Sequence, residues 1–95
     1  MKKDPPAPET PATLLEFPCE FPIKIMGRAG IDLDALVYAL VRPHAPDLGE
    51  GAIRSRLSAQ GNYQSVTVTV IAQSREQLDD IYRALTASEH VLMAL

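Results

Sequence analysis

The chain has 95 residues, 46% of them hydrophobic and 22% charged, with a formal charge of −3. That composition suits one small globular domain and excludes a disordered, fibrous or membrane-spanning chain. The acidic balance argues against broad, phosphate-driven nucleic-acid binding, and the single cysteine, Cys19, excludes an internal disulfide or a cysteine-rich metal knuckle.

Residues 1–13 hold Pro5, Pro6, Pro8 and Pro11 among charges and small side chains. Proline neither donates to a sheet nor continues a helix, so a disordered tail is expected, followed by one domain over 14–95. Lys2 and Lys3 precede Asp4 and prolines rather than an apolar run. No signal peptide or membrane span is therefore expected, and the chain reads as cytoplasmic.

Leu14, Leu15 and Phe17 open the folded region, and Pro18 and Pro22 bracket its entry. Phe21, Ile23 and Ile25 then alternate with Lys24 and Met26, the period of a half-buried strand. Gly27 and Gly30 are expected to end it. Asp32 suits an N-cap, and Leu33, Leu36, Val37, Leu40 and Val41 form one helical stripe, with Asp34 and Arg42 matching the helix dipole. Pro43 should push Arg42 out of the helical region and stop the helix.

His44 to Gly51 reads as a loop. Ile53, Ser55 and Leu57 alternate with Arg54 and Arg56, and Val66, Val68 and Val70 with Ser65, Thr67 and Thr69, giving a hairpin turned at Gly61-Asn62. Ser74 caps a second helix, with Gln77 placed as in a capping box. Leu78, Ile81, Tyr82 and Leu85 form its stripe, while Glu76, Asp79, Asp80 and Arg83 face water. Val91, Met93 and Leu95 make a last strand.

Two stripes cannot cover both sides of four strands, so both helices should share one face. The expected fold is α+β, ferredoxin-like βαββαβ: a four-stranded antiparallel sheet with two helices on one face. This arrangement leaves the other face open, and by parity it carries Lys24, Met26, Arg54, Arg56, Ser65, Thr67, Thr69, Leu92 and Ala94.

Leu14 to Pro18, then Phe21 to Gly27, resemble the start of the YbeD-like family of small bacterial proteins, known as DUF493 or UPF0250. Gly61 to Val66, the run SREQLDDIY from Ser74 to Tyr82, and VLMAL from Val91 to Leu95 are similar to further motifs of that family. The resemblance implies a ferredoxin-like fold akin to the ACT-type regulatory domains that sense small molecules in amino-acid metabolism. It also implies an indirect link to lipoate metabolism, and it brings no activity and no ligand-binding residues.

Two candidate sites follow. Gly27, Arg28, Gly30 and Asp32 join the first strand to the first helix, where glycines admit backbone amides and a helix start supplies partial positive charge. Asp32 and Asp34 oppose an anion there unless Arg28 offsets them, and the glycines also have a purely steric explanation. The second site is the open face, with Lys24, Met26, Arg54, Arg56, Thr67 and Thr69 as a protein-binding surface or simply a solvated one. RNA recognition of the usual sheet-face kind needs stacking aromatics where Met26, Thr67 and Thr69 stand.

Cys19 lacks a neighbouring base, His44 and His90 lack metal-ligand spacing, and no nucleophile-histidine-acid set emerges. No metal, cofactor or enzymatic activity is expected. The functional expectation is a non-enzymatic regulatory or adaptor module working through a protein partner. The alternative is an ACT-like metabolite sensor, paired as a homodimer.

Overall fold

The computed structural model describes residues 16–95; the expected tail, Leu14 and Leu15 lie outside the described residues. The elements run β1 (Cys19–Arg28), α1 (Leu33–Val41), β2 (Ile53–Leu57), β3 (Tyr63–Ala72), α2 (Arg75–Thr86) and β4 (Val91–Ala94). The strands form one antiparallel sheet in the order β2-β3-β1-β4. This is the ferredoxin-like α+β arrangement that the alternation of patterns predicts.

One alternate set of strand residues is buried: Ile23 and Ile25 on β1, and Val66, Val68, Val70 and Ala72 on β3. Over them lie Leu33, Val37 and Val41 of α1 and Leu78, Ile81 and Leu85 of α2. Each such side chain contributes roughly 1.5–3 kcal/mol of gross burial energy. The opposite set on β1 and β3 is exposed or half-exposed, so both helices occupy the same side. No helix among the described residues is long and apolar enough to cross a membrane.

Capping follows the residue types. Asp32 Oδ1 accepts from the Ala35 amide at 3.2 Å, and Ser74 Oγ accepts from the Gln77 amide at 3.1 Å. Gln77 also accepts from the Gln73 amide at 2.6 Å and donates to the His44 carbonyl at 2.8 Å. One side chain therefore closes α2 and ties it to the segment that follows α1. Gln77→Ala should cost about 1–2 kcal/mol, more than a surface substitution, read from urea midpoints at unchanged m-value. Burial of Tyr82 on the same helix pushes its phenol above the ordinary 10.0.

Several local expectations need correction. Gly27 does not end β1, which continues through Gly27 and Arg28 to a turn where Gly30 takes φ +108°. A Cβ at Gly27 would lie 2.7 Å from the His90 carbonyl oxygen and 3.0 Å from Leu33 Cδ2, so the glycine admits the close crossing of β4 and α1. Arg42 also stays right-handed helical, at φ −54° and ψ −40°. The α-helix stops at Val41, but Pro43 sits in the first turn of a 3-10 segment over Arg42–His44, where its missing N–H has no partner to lose. Arg42 Nε donates to the Pro46 carbonyl at 3.0 Å, and its Nη1 donates to the Tyr38 hydroxyl at 2.7 Å, which fixes that chain path.

A further correction concerns β4. A bulge between Met26 and Gly27 lets Val91 pair with Gly27, and Met93 with Met26. The extra residue, Leu92, reverses the expected parity beyond it. Ala94 opposes Ile25 and packs on the core, whereas Met93 stands opposite Met26 on the open face. Leu95 exchanges both backbone bonds with Lys24, at 2.8 and 3.1 Å, and so shares that face. Leu57 on the short edge strand β2 is 59% exposed rather than buried. The core instead recruits Ala45 and Leu48 from the segment read as a plain loop.

Candidate functional site

Residue pairing across the sheet places the open-face side chains in rows. One row runs Arg56, Ser65, Met26, Met93 from β2 to β4, and the next runs Arg54, Thr67, Lys24, Leu95. Each begins with an arginine, crosses a hydroxyl and ends in a large apolar side chain. Arg28 and Tyr63 pair just beyond, with the guanidinium carbon 6.0 Å from the ring centroid. Thr69 and Ile71 continue the same face of β3 opposite Pro22 and Glu20.

Lys24, Arg54 and Arg56 surround Ser65 and Thr67 in a shallow basin. Beside it Met26, Leu57 and Tyr63 line a notch of about 150 Å³. Met26 is 37% exposed, Met93 47% and Leu95 68%.

The charges are strongly segregated. Lys24, Arg28, Arg54 and Arg56 share the open face with one acidic side chain, Glu20. None of these four cations lies within ion-pair distance of a carboxylate among the described residues. The remaining described arginines are engaged elsewhere. Arg42 bonds its own loop, Arg83 pairs with Asp80 at 2.7 Å, and Arg75 faces Asp79 at 3.9 Å. Asp32, Asp34, Asp47, Glu50, Glu76 and Glu89 lie outside the sheet strands. A chain of net negative charge thus presents a cationic surface on one side.

The loop site is taken apart by the same geometry. Gly27 is consumed by packing, and Arg28 lies on the open face with Tyr63, across the sheet from the start of α1. The Asp32 carboxylate bonds its own helix end, and Asp34 Oδ1 accepts from Gln64 Nε2 at 2.9 Å. Asp32, Asp34 and Glu50 rim the depression there together with Tyr38 and Ile53, an arrangement that disfavours a carboxylate-bearing ligand.

Alternation in β2 and β3 is enough to find Arg54, Arg56, Thr67 and Thr69 on one face. Arg28 was legible too, since Lys24, Met26 and Arg28 continue one period. Reading Gly27 as a strand end concealed it. Met93 and Leu95 were concealed by the bulge.

Among the described residues no group of three or more His, Cys, Asp or Glu side chains could hold a shared metal ion. Cys19 is half-buried and unbridged. His90 Nε2 lies 3.8 Å from a Glu89 carboxylate oxygen, and the His44 carbonyl is engaged by Gln77.

Fold and surface together define a small ferredoxin-like α+β protein with an open, cationic sheet face. The family model "Protein of unknown function (DUF493)" matches residues 12–95, and the chain belongs to that family. It is 48% identical over 84 residues to a UPF0250 protein of Neisseria gonorrhoeae strain NCCP11945, covering 88% of this chain and 92% of that protein. It is 47% identical over 83 residues to a UPF0250 protein of Paraburkholderia phytofirmans, covering 87% and 93%. The solution structure of protein HP0495 from H. pylori is similar in fold, with a TM-score of 0.66 over 85% of each chain at 11% sequence identity. None of these names denotes an enzymatic activity.

Proposed function

We propose that this protein is a non-enzymatic regulatory or adaptor module of the cytoplasm that binds an acidic surface of a partner protein through its open sheet face. The observation that carries this reading is the gathering of Lys24, Arg28, Arg54 and Arg56 around one acidic side chain on a chain of charge −3. Such segregation steers an oppositely charged partner and selects against others. Phosphate backbones also seek cations, but the face carries one aromatic side chain, Tyr63, and its ring is already approached by Arg28.

Arg54→Glu/Arg56→Glu tests the reading, because both side chains are exposed on an edge strand and neither supports the core. Wild-type chain used as bait should retain a partner that the double variant loses, with unchanged circular dichroism. Capture in the wild type should also weaken as salt rises. Retention of the same partner by the double variant would end the reading.

A further inference from the structure

We infer that the open face is built to receive one amphipathic helix of the partner, with its apolar stripe over β4 and Met26 and its carboxylates over β2 and Lys24. This deepens the docking role proposed above and rests on it. The two rows Arg56-Ser65-Met26-Met93 and Arg54-Thr67-Lys24-Leu95 both begin with an arginine on β2 and end in hydrocarbon on β4, with Lys24 carrying the cationic basin to the centre of the second. A complementary ligand must carry acid along one flank and apolar side chains along the other. Simple polyanions satisfy only half of that surface.

Backbone chemistry selects a helix over an extended segment. In the centre of the sheet, amides and carbonyls lie in the sheet plane and are committed to the pairing of β1 and β3 with their neighbours. A segment lying on the face finds no ladder to join, so it must satisfy its own backbone. A helix does so.

The dimensions agree. Four strands place β2 and β4 about 14 Å apart, and rows on one face repeat about every 7 Å along a strand. A helix about 10–12 Å across therefore spans from the arginines to the apolar rim, and two to three turns cover both rows. Met26 and Met93 are the flexible, polarisable side chains that adapt to a neighbouring helix face.

A second copy of the chain fits less well. Its acidic helix, α2, has Leu78, Ile81 and Leu85 committed to its own core, so it offers carboxylates without an apolar stripe.

The test is a titration of the full ¹⁵N-labelled chain followed by amide shifts. The probe is a synthetic helical peptide of about 18 residues with a leucine stripe flanked on one side by glutamate. Comparison probes are the same peptide with lysine for glutamate, the same peptide with serine for leucine, and an oligodeoxythymidylate of about 12 nucleotides. Saturable shifts are expected at Lys24, Met26, Arg54, Thr67 and Met93. Affinity should fall at least about tenfold with Arg54→Glu/Arg56→Glu, with Met26→Ser/Met93→Ser, and with either altered peptide.

Equal binding of the serine peptide, tighter binding of the oligonucleotide at these amides, or no shift at millimolar leucine–glutamate peptide would each overturn the inference. So would the same amides shifting with protein concentration alone, which identifies a second copy as the occupant. If the double arginine variant loses a captured partner while the leucine–glutamate peptide leaves the face unperturbed, the docking role stands and the helical occupant falls.

Discussion

Ile23→Ala should cost about 3 kcal/mol, the middle of the range for removing a buried branched side chain and leaving part of its cavity. Ile23 is 0% exposed on β1, which is paired on both sides. For a domain of this size the loss lowers Tm by roughly 12–24 °C and removes a large share of total stability. Urea denaturation and calorimetry read it directly. The informative comparison is Met93→Ala, which removes a side chain of similar size from the open face and should cost less than about 1 kcal/mol. A matching loss at Met93 would mean that the rim is covered in the isolated chain and is not a free surface.

Gly27→Ala is the second large effect, expected to cost about 1–3 kcal/mol. The added methyl would stand 2.7 Å from the His90 carbonyl oxygen, a backbone atom at the approach to β4. Leu33 Cδ2, at 3.0 Å, can rotate away, but the carbonyl moves only with its strand. Loss of amide protection in β4 should therefore accompany the loss of stability. Gly49→Ala is the control: nothing lies within 4 Å and its φ is −101°, so the change should stay within about 0.5 kcal/mol. Together they separate a glycine held by packing from one in open space. Should Gly27→Ala leave stability and β4 protection intact, the steric account of that glycine fails.

The interior was legible in the sequence wherever one period persisted long enough to be read. Ile23 and Ile25, the valines of β3 and the stripes of α1 and α2 declare their faces by spacing alone, and element order then limits the topology. What escaped depends on meetings between distant segments. The bulge opposite Gly27 follows from how β4 passes a residue without a side chain, and no local pattern in VLMAL announces it. The burial of Ala45 and Leu48 follows from a 3-10 turn, which Arg42 fastens to Pro46 and Tyr38. Alternation found the arginine half of the candidate face. Its hydrocarbon half needed the register of β1 against β4.

The Met26/Gly27 irregularity makes the character of the sheet's rim a matter of residue count as well as residue identity. Pairing β4 without the bulge, with Leu92 kept, would set Leu92 opposite Met26 and turn Met93 toward the helices and Ala94 toward solvent. Losing the irregularity at the present length would thus replace Met93 and Leu95 by Leu92 and Ala94 beside the arginines, blunting the greasy margin while leaving the basic basin in place. In this fold, one irregular pairing in the last strand decides which hydrocarbon the rim displays.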